Sequence, residues 1–123
     1  MYIDELAVTV QELTGKTINF IGEPVPKNNE RKSVLLFSKC FPSQGVYFFF
    51  DSDLNLIYIG ASCHLKHRIR EHFQNKHNNT RWIKDQFAYA GFIECYSNEV
   101  FKYENSLINE FNPNGNRSAL KSL

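Results

Sequence analysis

The sequence predicts an α+β domain in which a small antiparallel sheet packs against helices. Two short runs rich in Val, Ile, Tyr and Phe, residues 45–50 and 56–60, flank a turn-rich DSDLN segment, which indicates a β-hairpin. A basic helix with apolar residues at four-residue spacing follows the hairpin. A third strand and a final amphipathic helix complete the order β-β-α-α-β-α, which is typical of this fold class.

Length and composition fit a single soluble domain. The chain has 123 residues, of which 42% are hydrophobic and 22% charged. Its three cysteines are odd in number and widely separated, which does not favour a disulfide framework. No apolar run reaches the roughly 18 residues of a membrane span, and the N-terminus lacks a signal-peptide pattern. We therefore expect a cytoplasmic protein with no membrane partner.

Residues 1–42 are predicted to form an N-terminal extension of one helix and a connector. The helix covers residues 2–14, and Gly15 is its expected stop. Its predicted buried stripe is Leu6, Val10 and Leu13. Prolines and asparagines make residues 22–32 an exposed connector. Residues 33–37 are predicted as a short strand.

Residues 43–123 hold the predicted sheet and the remaining helices. In the helix after the hairpin, the apolar stripe is Leu65, Ile69 and Phe73. A second helix is predicted over residues 80–89. Its expected inward side chains are Trp82, Ile83 and Phe87. Residues 91–96 then form the third strand, and a last helix ends near Phe111, since Pro113 disfavours its continuation.

Basic residues concentrate in one part of a nearly neutral chain, whose formal net charge is +1. Residues 1–30 hold five acids and two lysines, whereas residues 64–84 hold six Lys and Arg residues and one acid, Glu71. Such a block can contact phosphates, although a solvated helical face would explain the same charges. The candidate nucleic-acid-binding residues are Lys66, Arg70, Lys76, Arg81 and Lys84.

A glutamate interrupts the apolar stripe of the last helix. Glu104 lies four residues after Val100 and four before Ile108, both of which are predicted to face inward. A buried carboxylate without a partner costs several kcal/mol. Glu104 therefore needs an arginine, a metal ion or a position at the edge of the core. Periodicity leaves an ion pair with Arg68 and a metal site as alternatives.

The ordered residues around the hairpin resemble the GIY-YIG nuclease family. The triplet GVY at residues 45–47 is followed, after ten residues, by YIG at residues 58–60 and then by Arg68 and His72. This family includes the N-terminal domain of the bacterial excision-repair nuclease subunit, homing endonucleases and some restriction enzymes. The resemblance implies a three-stranded sheet flanked by helices over roughly residues 43–120.

The resemblance also implies a metal-dependent endonuclease. It makes Glu104 the protein ligand of Mg²⁺ or Mn²⁺, since such an ion keeps several waters and can be held by one carboxylate. Arg68 would stabilise charge on the phosphate, and a tyrosine would accept a proton from the attacking water. Tyr47 is favoured as that base and Tyr58 as its helper, although the sequence does not separate them. The implied catalytic residues are Tyr47, Tyr58, Arg68, His72, Glu104 and Asn116.

DNA is the expected substrate, and RNA stays an alternative. The short chain leaves little room for base-specific readout, which favours structure-selective or weakly specific cutting, directed by a targeting protein or by a homodimer. The main rival is a non-catalytic module of the same fold that binds nucleic acid or protein. A zinc site built from Cys63 and the four histidines is a weaker alternative, because their spacing lacks paired ligands. Ala61 departs from several relatives, which have a lysine there.

Overall fold

A computed structural model describes residues 3–27, 30–74 and 84–116, and within them the predicted α+β class is confirmed. The helices are α1 (Ile3–Thr14), α2 (Arg31–Ser38), α3 (Leu65–Phe73) and α4 (Val100–Phe111). The strands are β1 (Asn19–Ile21), β2 (Gly45–Phe50), β3 (Leu56–Ser62) and β4 (Tyr89–Glu94). No helix in these three ranges is both long and apolar enough to cross a bilayer.

The antiparallel sheet has four strands rather than the predicted three. Its order is β1-β4-β2-β3, and every neighbouring pair is antiparallel. The additional strand, β1, comes from the N-terminal extension and pairs with β4, so that Phe20 lies opposite Gly91. A three-residue strand is too short to show the alternation by which strands are recognised, and the sequence prediction therefore missed it.

Helices cover both faces of the sheet, and β2 lies in the centre. Val46, Phe48 and Phe50 belong to the core beneath α1 and α4, whereas Tyr47 and Phe49 belong to the core beneath α2 and α3. All six residues of β2 are buried. A strand covered on both faces has a continuous apolar sequence instead of an alternating one, as this strand does.

The hairpin between β2 and β3 forms as predicted. The Asp51 carboxylate accepts hydrogen bonds from the backbone N–H groups of Asp53 and Asn55, each at 2.9 Å. Leu54 adopts a left-handed conformation with φ of 64°. This local turn fixes the register of the two strands that carry the motif tyrosines.

The first helix ends where the sequence predicted, but its buried stripe differs. Gly15 has φ of 71°, which favours glycine at a helix stop. Leu6 and Val10 are buried, but Leu13 is exposed, so its predicted inward position is wrong. Thr14 is buried in the last turn instead, where its hydroxyl donates a hydrogen bond of 2.7 Å to the carbonyl of Val10.

Residues 33–37 form part of α2, so the predicted strand is wrong. Val34 and Phe37 are buried, whereas Leu35 and Leu36 between them are exposed. A spacing of three between buried residues fits a helix, and a strand would bury alternate residues. Four consecutive apolar residues made the period ambiguous in the sequence.

The helix predicted over residues 80–89 is wrong in its C-terminal part. Residues 84–86 form one 3₁₀ turn, and Tyr89 already belongs to β4. The backbone N–H of Ala88 donates to the carbonyl of Phe50 at 2.8 Å, which extends the sheet to this point. Phe87 is buried as predicted. The start of the predicted helix, with Trp82 and Ile83, lies outside the described residues.

Candidate active site

A buried hydrogen bond joins the first motif tyrosine to the histidine of α3. The Tyr47 hydroxyl and Nε2 of His72 are 2.8 Å apart, and the two residues are only 0% and 2% exposed. The helical stripe that buries Leu65 and Ile69 also carries His72 toward the sheet. The sequence placed His72 beside this stripe, whereas the structure places it within the buried face.

The two motif glycines stand where other atoms approach too closely for a side chain. Gly60 lies opposite Tyr47 in the β2–β3 register, and a Cβ atom there would overlap the hydroxyl end of the Tyr47 ring. A Cβ atom at Gly45 would overlap the carbonyl oxygen of Ile93 on β4. Both glycines are therefore required by close approach, one by the Tyr47 ring and one by the sheet backbone.

Aromatic rings enclose the His72 imidazole. They meet it edge-to-face, with ring centroids 5.4–5.9 Å from that of His72, and they are Tyr47, Phe49, Tyr58 and Phe87. Phe49 and Phe87 are themselves stacked at 4.0 Å and are almost parallel. These contacts restrict the orientation of the imidazole and exclude water from its surroundings.

Burial dominates the acidity of the two motif tyrosines. It raises the pKa of Tyr47 well above 10.0; interactions with Tyr58 and Glu104 add to this effect, and Arg68 opposes it. Burial also raises the pKa of Tyr58, to about 12, and Glu104 adds to it, while the hydrogen bond with Tyr47 and the charge of Arg68 lower it. Tyr58 is the more exposed of the pair, at 7% against 0%.

Arg68 and Glu104 add opposite charges to this site from different helices. Burial raises the pKa of Glu104 to about 7, although Arg68 acts to lower it. The Nε of Arg68 donates instead to the Glu71 carboxylate at 3.3 Å. Across the described residues, no ion pair within 4.0 Å engages Glu104, so its carboxylate interacts with Arg68 only at longer range. Of the two alternatives that the sequence left for Glu104, the ion pair with Arg68 does not form among the described residues.

Asn116 supports the second motif triplet from behind. Its side-chain Oδ1 accepts a hydrogen bond from the backbone N–H of Ile59 at 2.8 Å, and its Nδ2 donates to the carbonyl of Ile59 at 2.7 Å. Since β3 is the edge strand, these bonds satisfy backbone groups that no neighbouring strand can reach. Asn116 therefore fixes the backbone beside Tyr58 rather than pointing its amide at the tyrosine hydroxyls.

Of the five predicted nucleic-acid-binding residues, the structure describes the side chains of Lys66 and Arg70. The ammonium of Lys66 donates to the backbone carbonyls of Phe41 and Lys39, which anchors the segment before β2. Arg70 lines a cavity between α2 and α3 together with Arg31. The remaining candidates are Lys76 and Arg81, which lie outside the described residues, and Lys84, whose side chain also does.

Two participants were not singled out from the sequence. Glu71, the hydrogen-bond partner of Arg68, could have been found from its i,i+3 helical spacing. Phe49 packs against His72 and Phe87, but nothing in an unbroken apolar strand distinguishes it from its neighbours. Only the strand register brings it to the catalytic face.

The donor atoms of the site suit a hard cation better than zinc. In the described parts of the chain, no three His, Cys, Asp or Glu side chains come together as a metal-binding group. His72, one candidate zinc ligand, is enclosed by aromatic rings and bonded to Tyr47. His77 lies outside the described residues. Glu104 offers one carboxylate, which is the pattern expected for Mg²⁺ or Mn²⁺ with water as the other ligands.

Comparison with known proteins identifies the family of this chain and relatives that match the same region. The model of the GIY-YIG catalytic domain matches residues 43–117, which is more than half of the chain. UvrABC system protein C of Caldanaerobacter subterraneus is 32% identical over 76 residues, covering 58% of this chain and 12% of that protein. UvrABC system protein C of Pelodictyon phaeoclathratiforme is 29% identical over 102 residues, covering 78% and 16%. The matched region is thus less than a fifth of either relative.

Proposed function

This chain belongs to the GIY-YIG catalytic domain family, and on that premise we propose that it is a divalent-metal-dependent endonuclease that hydrolyses DNA phosphodiester bonds. One observation carries the proposal: the buried 2.8 Å hydrogen bond between Tyr47 and His72 lies within electrostatic range of both Arg68 and Glu104. Buried polar groups gathered with two opposite charges, whose pKa values are shifted, are typical of functional sites.

The surroundings of Glu104 fit a divalent cation. Its carboxylate is partly buried, and burial raises its pKa to about 7 because Arg68 does not compensate fully. A bound cation would supply the missing positive charge, and the partial exposure leaves room for its water ligands. When bound there, Mg²⁺ or Mn²⁺ supplies charge that offsets the phosphate and lowers the pKa of nearby hydroxyl groups.

The tyrosine pair and His72 form a path for the proton of the attacking water. Tyr58 is closer to solvent, and the hydrogen bond with Tyr47 lowers the pKa of Tyr58. We therefore assign proton acceptance to the Tyr58 oxygen, which passes its own proton along the hydrogen bond to Tyr47, while Tyr47 passes its proton to Nε2 of His72. The sequence favoured Tyr47 for this role, and it is the burial of Tyr47 that shifts the assignment.

Arg68 provides the charge for the phosphate. Its Nε is bonded to Glu71, so the guanidinium is oriented from one side and its terminal nitrogens can face the non-bridging oxygens. A permanent cation at this point favours the transition state, in which negative charge accumulates on those oxygens. Ala61, where several relatives have a lysine, is buried and carries no charge.

The similarity to two proteins named UvrABC system protein C supports DNA as the substrate and DNA repair as the setting. We propose cleavage that depends on DNA structure more than on sequence, since the candidate site residues match phosphate groups, which carry no sequence information. A targeting protein or a second copy of the chain would supply further selectivity.

Plasmid nicking tests the proposed function. We expect nicking with Mg²⁺ or Mn²⁺ and none with EDTA, and a loss of at least 100-fold in Glu104→Gln and Arg68→Ala. Glu110→Gln, which changes an exposed glutamate on the same helix, is the matched control and should keep full activity. Nicking that is equal in all four proteins would refute the site.

The two tyrosines are separated by their phenylalanine variants. Tyr58→Phe should slow nicking by about 10²–10⁴-fold, as expected when a proton-transfer group is removed, and Tyr47→Phe should slow it less. The opposite order would return proton acceptance to Tyr47. If the unmodified chain binds duplex, single-stranded and branched DNA but cuts none of them, the non-catalytic module is the correct function.

A further inference from the structure

A cavity separate from the tyrosine site lies between α2 and α3. It has a volume of about 380 Å³. Its lining residues are Arg31, Val34, Leu35, Arg70, Phe73 and Gln74. Two arginines thus share a pocket with apolar walls, and the described lining includes no acidic side chain. Like charges gathered without an opposing charge repel each other, and an anion between them would relieve that repulsion.

Arg70 carries a buried donor for which the described residues supply no acceptor. Its Nε is buried, and no hydrogen-bond acceptor reaches it among the described residues. A buried donor without a partner costs about 1–3 kcal/mol, and native proteins leave few of them unless water or an ion satisfies the group. The Arg70 side chain therefore carries an unfilled requirement for an acceptor at this cavity.

The other cations of α3 do not share this feature. The ammonium of Lys66 is held by two backbone carbonyls, and Nε of Arg68 is held by Glu71. Arg70 is thus the cation whose position in the fold is not explained by a protein partner in the part of the chain described. A structural role accounts for Lys66, but it leaves the Arg70 guanidinium unexplained.

The second arginine comes from the N-terminal extension. Arg31 is the first residue of α2, and the residue that precedes it, Glu30, makes no side-chain hydrogen bond to the helix N-terminus. The positive end of the helix dipole adds to the charge of Arg31. Two guanidinium groups and a helix N-terminus offer the planar, multiple donors that match phosphate oxygens.

We infer that Arg31 and Arg70 form a second phosphate-binding site, which contacts the backbone of the nucleic acid away from the scissile bond. This inference rests on the proposed function for its choice of DNA as the source of the phosphate. Arg68 and Arg70 are two residues apart, so they project about 200° apart around α3. A helix is about 10 Å wide, and at 3.4 Å per nucleotide the two arginines contact phosphates roughly three nucleotides apart.

Salt-dependent DNA binding in EDTA tests the site without any cleavage. The probe is a fluorescein-labelled 30-base-pair duplex, with anisotropy measured from 50 to 200 mM KCl. Each lost phosphate contact removes about 0.9 from the slope of log affinity against log salt. The double variant Arg31→Ala/Arg70→Ala loses one phosphate contact. The DNA affinity of the wild type divided by that of the double variant should therefore fall by about 3.5-fold between 50 and 200 mM KCl.

Two further variants keep the test decisive. Lys32→Ala removes one positive charge from the same helix turn as Arg31→Ala but does not line the cavity, so its slope should be less affected than that of Arg31→Ala or of the double variant. Arg70→Met keeps the apolar stem and therefore the packing against α2. It should lower the slope while the circular dichroism and melting temperature stay at or above those of the wild type.

The outcomes separate this inference from the proposed function. A double variant whose slope equals that of Lys32→Ala overturns the second phosphate site. A melting temperature that rises in inorganic phosphate, combined with an unchanged DNA slope in the double variant, shows a free-anion site and also overturns it. If the wild-type chain cuts no DNA but the double variant shows a smaller slope of log affinity against log salt, the nuclease proposal is refuted and the second phosphate site is supported.

Discussion

Replacing Glu104 with glutamine should stabilise the metal-free chain while abolishing cleavage. The pKa of Glu104 is raised by burial to about 7, compared with an ordinary value of 4.5. The folded chain therefore binds this proton more tightly than the unfolded chain does. Between pH 4.5 and 7, unfolding releases the proton, so raising the pH lowers the free energy of unfolding. Glutamine has no such proton and escapes this loss.

The size of the effect follows from the two pKa values. At about 1.4 kcal/mol for each tenfold change in proton affinity, the ionised carboxylate costs up to about 3 kcal/mol above pH 7. Because Glu104 is only partly buried, solvent screens part of this cost, and we expect Glu104→Gln to gain about 1–3 kcal/mol at pH 8. Near pH 4.5 most of that gain should be absent, since the carboxyl group is then protonated in the folded chain.

Urea unfolding in EDTA at pH 4.5 and pH 8 measures this difference, with Glu110→Gln as the exposed control on the same helix. Mg²⁺ at ten times its dissociation constant should add about 1.4 kcal/mol to the wild type at pH 8 and nothing to Glu104→Gln. A Glu104→Gln protein that is no more stable than the wild type at pH 8 would refute the reasoning from burial. Equal stabilisation of both proteins by Mg²⁺ would place the metal elsewhere.

Three other substitutions test residues that hold the site. Gly60→Ala should lower the free energy of unfolding by about 1–3 kcal/mol, because the new methyl group displaces the Tyr47 ring, and nicking should fall with it. Asn116→Ala should cost about 2 kcal/mol or more, since it leaves both backbone groups of Ile59 unpaired; thermal unfolding measures the loss. Lys66→Met should cost about 1 kcal/mol yet leave the salt dependence of DNA binding unchanged, because its ammonium serves backbone carbonyls.

The sequence was sufficient for the elements that carry strong local signals. The hairpin has a turn-forming segment between two aromatic strands, and α3 has an apolar residue at every fourth position. These local signals agree with one another. The position of Glu104 on an apolar stripe likewise predicted a carboxylate that the core does not fully satisfy, and its pKa of about 7 is consistent with that prediction. Local pattern and tertiary structure give the same answer at these places.

Elements that depend on tertiary contacts could not be predicted from the sequence. The strand β1 forms because it pairs with β4, and its three residues are too few to show an alternating hydrophobic pattern. The helix α2 was mistaken for a strand because Val34 to Phe37 are all apolar, and only packing decides which of them are buried. The bonds of Asn116 to Ile59 link residues 57 positions apart, so no local pattern contains them.

The two motif triplets are in direct contact across the β2–β3 hairpin. Tyr47 of the first triplet occupies the space that Gly60 of the second leaves open, and the strand register places them directly opposite each other. Ile59, between Tyr58 and Gly60, turns its side chain to the opposite core while Asn116 holds its backbone. A side chain larger than glycine at position 60 would therefore act on Tyr47 across the sheet, and loss of Asn116 would release the strand that holds Tyr58. The spacing of the motif is thus set by the geometry of the hairpin, and the catalytic groups depend on both strands at once.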